Sequence, residues 1–250
     1  MKRKNLNKNE LILLKQTEDY IYRTYQQYHK FMQYEGALPP FTINYRKATE
    51  NVFANVRYIN GGYVLSVDPI ICKTPFVVPT LHHEFTHIYD DIIMATLHEE
   101  LNKNTSYIYH VYTEFHASQI EMMVKMGASV QYGIISEDVD KNKLLESLLR
   151  EKKDSADKSK KLDLSKRDNF SSSLDWFCYY IGKVNAYLLY YKEGKDELLD
   201  LTEYANIFGE EIILLQKALF DCDTRNIKIE SIFKVADIHK MILRNFTLQN

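Results

Sequence analysis

His83-Glu84-Phe85-Thr86-His87 sets two histidines four residues apart with a glutamate between them. On a helix, residues four apart lie on one face, so His83 and His87 can grip a single metal ion. Glu84 is rotated about a quarter turn from that pair, so it can reach a water activated by the ion without being a ligand. Two imidazole ligands with an adjacent carboxylate base form the layout of a zinc-dependent hydrolase. His82 points away from the metal face and is assigned no role.

Catalytic zinc needs a third protein ligand and an open position. A Gly and a third His close after His87 are missing, because the sequence there is Ile88-Tyr89-Asp90-Asp91-Ile92-Ile93. His98 follows on or near the same helix and points too far along the axis to close the site. The segment Tyr112-Thr113-Glu114-Phe115-His116-Ala117 offers Glu114. Ala117, one turn later on nearly the same face, is small enough to let two helices approach. Glu121, two turns after Glu114, and His110, one turn before it, are alternatives, as is His116. Asp91 either receives the free ring N–H of a zinc-bound histidine, fixing its tautomer, or is an exposed acid.

Certain elements must position these groups. Apolar residues recur at helical spacing from about Asn9 to Gln33, and Gly36, Pro39 and Pro40 end that helix. The period then changes to alternation. Phe41–Tyr45, Val52–Ile59 and Tyr63–Val67 read as strands, the last two joined across Asn60-Gly61-Gly62, a hairpin signal. A small antiparallel sheet is expected over residues 41–68. The metal helix is expected over 75–101, with Leu81, Phe85, Ile88 and Ile92 as its packed stripe and the histidines opposite. Its cap is either Thr74-Pro75 or Thr80, depending on how Pro79 is used. A second helix runs from about Tyr107 to Lys125 and is closed by Gly127. Residues 137–170 are highly charged, forming an exposed helix or a connection. Residues 174–250 read as several helices.

The chain has 250 residues and a net charge of −2. That length can bury a sizeable core, and the near-neutral charge argues against a protein whose main work is holding nucleic acid. Cys72, Cys178 and Cys222 are far apart and none forms a Cys-x-x-Cys pair, so a disulfide scaffold is not expected. The basic start Met1-Lys2-Arg3-Lys4 leads into an apolar stretch too short for a signal segment. No run approaches roughly 18 to 20 apolar residues, so no membrane span is expected. A cytoplasmic setting is the default.

His83-Glu84-x-x-His87 followed by a helix with Glu114-x-x-Ala117 resembles the gluzincin branch of the zincin metallopeptidases. In that branch a Glu on a second helix is the third zinc ligand. The Glu-x-x-Ala cadence and the lack of a signal segment are similar to the small regulatory metallopeptidases of mobile elements, the IrrE/ImmA type. The resemblance covers residues 58–127. Where that group has a small residue inside the motif, this chain has Phe85-Thr86.

The resemblance implies a Zn2+ ion held by His83, His87 and Glu114, with Glu84 as general base for hydrolysis of a peptide bond. It also implies an oxyanion donor, for which Tyr109, Tyr112, His116, Tyr179 and Tyr180 are all available. The strand Tyr63–Val67 resembles the edge along which zincins bind an extended peptide. The expected fold is α+β and mostly helical, a zincin-like core with a small antiparallel sheet, a metal-binding helix and a helical C-terminal part. Residues 1–135 would be the catalytic core, 136–170 a charged connection and 171–250 a helical subdomain. The expected partner is a peptide or protein substrate, with the C-terminal helices available to a regulatory protein. Two other classes fit the sequence: a non-catalytic zinc-stabilised or degenerate-site binding protein, and a metal-free helical interaction protein.

Overall fold

The computed structural model describes residues 8–47, 53–97, 106–127, 139–222, 224–225 and 227–248. His98 and the segments 98–105 and 128–138 lie outside the described residues.

Helix α1 spans Lys8–Met32 and buries Leu14, Thr17, Ile21, Thr24, Tyr28 and Phe31, a stripe spaced by threes and fours. Thr17 and Thr24 are tolerated inside because their hydroxyls donate to the carbonyls of Leu13 and Tyr20. The chain reverses after Gln33, and the Tyr25 hydroxyl donates to the carbonyl of Pro39 at 2.9 Å, tying the return to the helix.

Strands β1 (Phe41–Tyr45), β2 (Ala54–Ile59) and β3 (Gly62–Val67) follow. Asn60 and Gly61 both have positive φ, so the two-residue hairpin between β2 and β3 is a primed turn. The sheet order is β1-β3-β2. β2 pairs antiparallel with β3, with Val56 opposite Leu65, as the alternation predicts. β1 pairs parallel with β3, so the sheet is mixed rather than antiparallel throughout. It also follows that Tyr63–Val67 is the central strand, and the edges belong to β1 and β2. Alternation reveals which face of a strand is buried but not the direction of its partner.

A short 3-10 turn at Pro69–Lys73, capped by Asp68, leads into helix α2, Val77–Leu97. Pro79 falls in the first turn of α2, where its missing N–H costs nothing because such groups have no intrahelical partner. Leu81, Phe85 and Ile88 are fully buried, as their spacing requires. Phe85 meets Tyr25 of α1 and Phe41 of β1, with ring centroids 4.7 and 5.7 Å apart.

Helix α3, Ser106–Lys125, packs between α2 and α5, and Gly127 closes it with positive φ. The charged region forms helix α4, Lys141–Lys160, which lays Leu148, Ser155, Ala156 and Ser159 against the protein. Helix α5, Arg167–Tyr190, lies along α3. Short helices α6 (Lys195–Leu199) and α7 (Thr202–Phe208) follow, then α8 (Glu211–Phe220) and α9 (Ile229–Leu248). The architecture is α+β and mostly helical. One apolar core runs from Leu14 to Ile242. Among the described residues, no helix is long and apolar enough to cross a membrane.

Two features fix α3 in place. His116 Nδ1 meets Asp90 Oδ1 of α2 at 2.7 Å in a fully buried pair. On the opposite side, Gly182 of α5 lies so close that a Cβ there would sit 2.2 Å from the carbonyl oxygen of Phe115.

Candidate metal centre

His83 and His87 leave α2 on the side away from its apolar stripe, and Glu114 of α3 faces them. His83 Nε2 and His87 Nε2 are each 3.7 Å from Glu114 Oε2. Among the described residues, this is the group of donor side chains whose ligating atoms all lie within 4.8 Å of one another. In a tetrahedral site with bonds near 2.1 Å, ligand atoms are separated by about 3.4 Å.

Burial sharpens the point. His83, Glu84 and Glu114 are 7, 8 and 7% exposed, and Glu114 Oε2 has no hydrogen-bond donor. Buried polar atoms are normally paired, and an orphaned carboxylate oxygen aimed at two imidazole nitrogens is what a cation would satisfy. The residues present therefore fit a metal ion.

The far side of the His87 ring is hydrogen-bonded, and that of His83 lies beside a carboxylate. His87 Nδ1 lies 2.9 Å from Thr113 Oγ1, so an Nδ1–H donating there leaves the Nε2 lone pair facing the site. His83 Nδ1 faces Glu121 Oε2 at 3.5 Å. Glu121 also pairs with Lys125 at 2.7 Å and lies near Lys183. Burial would raise its pKa, but His83, Lys183 and Lys125 together hold it below the ordinary range. Burial depresses His83 too, yet the Glu121, Glu84 and Glu114 carboxylates outweigh it and raise the pKa. His87 goes the other way. Burial first, and His83 second, lower it to about 3, so the ring is neutral as a ligand must be.

Glu84 points from α2 toward the sheet. Its Oε2 accepts the Val56 N–H of β2 at 2.6 Å. Burial raises its pKa to about 7, against the lowering effects of His83 and that N–H. A carboxylate poised near neutrality is suited to taking and returning a proton.

Helix α5 supplies the remaining wall. The Tyr179 ring stacks on His83, centroids 5.5 Å apart, and its hydroxyl lies near the Glu114 carboxylate. Burial and the Glu114 charge keep that hydroxyl protonated. Asp175, one turn earlier, takes His110 Nε2 at 3.2 Å, while His110 Nδ1 is 3.6 Å from Glu114 Oε1.

Several expectations are thereby sorted. Glu114, not Glu121, His110 or His116, shares the donor group with the two histidines. Glu121 stands behind His83, and His116 is engaged with Asp90. Asp91 is the exposed acid of its two readings; it hydrogen-bonds Tyr63, and partial desolvation raises its pKa to about 6. Its place at the ring nitrogens is taken by Thr113 and Glu121. Thr113 directly precedes Glu114, and that adjacency was a usable sequence signal. Of the oxyanion candidates, Tyr179 is at the site. Tyr112 is buried beside Asp90, and Tyr180 donates to the carbonyl of Leu198. The side chain of Tyr109 lies outside the described residues.

No protein-family model, no curated protein and no solved structure matches this chain.

Proposed function

We propose that the protein is a zinc-dependent metallopeptidase in which His83, His87 and Glu114 hold the ion and Glu84 is the general base. The observation that carries this reading is the three-donor group with a separate carboxylate beside it. Structural zinc sites are usually closed by four protein ligands, whereas catalytic sites keep three and leave a position free. The two imidazoles and one carboxylate suit zinc, although other divalent ions accept the same donors.

When bound, the ion supplies Lewis acidity and brings a water's pKa to roughly 7. Glu84 takes the proton of the attacking water and returns it to the leaving amine. Thr113 and Glu121 hold the two rings in the tautomer that faces the ion. Tyr179, protonated and beside Glu114, donates to the oxygen of the scissile carbonyl. A peptide would lie along β2, whose outward-facing Val56 N–H is next to Glu84, by adding as a further strand. We place the protein in the cytoplasm, a setting supported by the unpaired, buried Cys178 and Cys222.

Glu84→Gln is the test. The variant should keep its metal and lose hydrolysis of an unfolded protein such as casein by a factor of about 100 or more. Hydrolysis surviving at the wild-type rate would remove Glu84 from the mechanism.

A further inference from the structure

Glu84 Oε2 accepts the Val56 N–H at 2.6 Å, a charge-assisted bond that holds the proposed base on the edge of the sheet. That edge has a definite register. The turn at Asn60-Gly61 has two residues, so Ile59 and Gly62 exchange hydrogen bonds and the pattern alternates from there. Ala54, Val56 and Tyr58 therefore direct their N–H and C=O groups away from β3. Val56 is the middle of these three positions and the one that meets the histidine motif. Toward the hairpin the strand is open, with Arg57, Tyr58 and Ile59 exposed.

We infer that this hydrogen bond is a latch on the base, opened by the substrate itself. The inference rests on the peptidase reading above. A peptide added along β2 forms hydrogen bonds at the same outward positions, and its carbonyl oxygen at Val56 needs the N–H that Glu84 holds. The N–H has a single hydrogen, and two acceptors cannot both have it at full strength. The incoming carbonyl replaces the carboxylate, and Glu84 turns to the attacking water. One hydrogen bond is exchanged for another, and no covalent bond changes. The motion is a side-chain rotation, because Leu81, Phe85 and Ile88 are fully buried and fix α2.

Val56 thereby reads the length of the substrate. An extended segment that covers Ala54 to Tyr58 frees the base and is cut. A dipeptide has its one amide at the donor group and no further backbone to offer Val56, so the base stays latched.

Two readouts test the latch. The first needs neither metal nor turnover: hydrogen exchange of the Val56 amide, followed by NMR in metal-free protein. Exchange should be at least about 10-fold faster in Glu84→Ala than in the wild type. The second is kcat of zinc-loaded enzyme on a mixture of free dipeptides and a mixture of N-acetylated octapeptide amides. The wild type should cut the octapeptides at least about 10-fold faster. Val56→Pro removes the N–H at an outward edge position, where proline is tolerated. It should bind zinc as the wild type does and raise kcat on dipeptides about 10-fold, narrowing the difference between the mixtures. Should Val56→Pro fail to fold, the exchange comparison decides. Unchanged exchange in Glu84→Ala, or dipeptide turnover that Val56→Pro leaves as slow as in the wild type, would overturn the latch while the peptidase reading stood. Hydrolysis of neither mixture by the wild type would overturn both.

Discussion

The N–H of Val56 donates to Glu84 Oε2 at 2.6 Å, joining the outer edge of β2 to the second residue of the histidine motif. Asp68 N donates to Phe53 O, so in this hairpin the odd-numbered residues of the β2 segment face β3 and Val56 faces outward. One carboxylate therefore meets the proposed substrate edge and feels the charges of His83 and Glu114 in the donor group.

Replacing that carboxylate separates two roles. Glu84→Gln retains an oxygen for the Val56 N–H, so the metal-free variant should match the wild type in stability to within about 1 kcal/mol. Glu84→Ala leaves the N–H without its acceptor and should lose about 1 kcal/mol relative to Gln. Urea denaturation of the metal-free proteins measures both, and equal stability of the Ala and Gln variants would deny the bond any part in the fold.

The support behind the rings should set metal affinity. Thr113→Val keeps the shape of the side chain but removes the partner of His87 Nδ1. Glu121→Gln removes the charge facing His83 Nδ1. Each should weaken zinc binding by about 10- to 100-fold in chelator competition, with a folded protein in both cases. Affinities equal to the wild type would mean that neither group orients a ligand.

Helix α5 brings Tyr179 to the site only if it can lie against α3. Gly182→Ala would place a Cβ 2.2 Å from the carbonyl of Phe115, contact that the α3 backbone cannot relieve by a rotamer change. A loss of about 3 kcal/mol is expected, seen as a fall in Tm of about 10 °C. An unchanged Tm would show that α5 has room to spare.

His239 gives a pH dependence with a definite sign. Burial first, and His110 second, lower its pKa from 6.5 to about 4. The unfolded chain then binds more protons than the folded one between those values, so this residue removes stability as pH falls from 6.5 toward 4. Metal-free His239→Gln should therefore gain on the wild type by about 2 kcal/mol between pH 7 and pH 5, measured by denaturant unfolding. A difference that does not change with pH would mean His239 protonates freely in the fold.

Sequence spacing reveals what is local. The helical spacing of His83 and His87, the apolar stripe at Leu81, Phe85 and Ile88, and the Asn60-Gly61 turn each depend on a few neighbouring residues. Glu114 was also legible, since a carboxylate one turn from a small residue on the next helix is a local pattern. The rest depends on long-range packing. No spacing connects residue 179 with residue 83, because Tyr179 arrives through the contact of Gly182 with α3. The parallel pairing of Phe41–Tyr45 with β3 is set by how α1 returns to the sheet, not by the alternation within either strand. Asp91 is the exposed acid of its two readings, and spacing alone does not choose between them. Being four residues after His87 places it on the same face of α2, but the strand residue Tyr63 claims it.

The central claim is that His83, His87 and Glu114 hold one ion. Zinc content by elemental mass spectrometry tests it most directly, on wild type and Glu114→Ala purified without added metal and again after zinc reconstitution. The account predicts one zinc per chain in the wild type and its loss, or much weaker retention, in the variant. Absence of zinc from the reconstituted wild type, or full retention in Glu114→Ala, would contradict it.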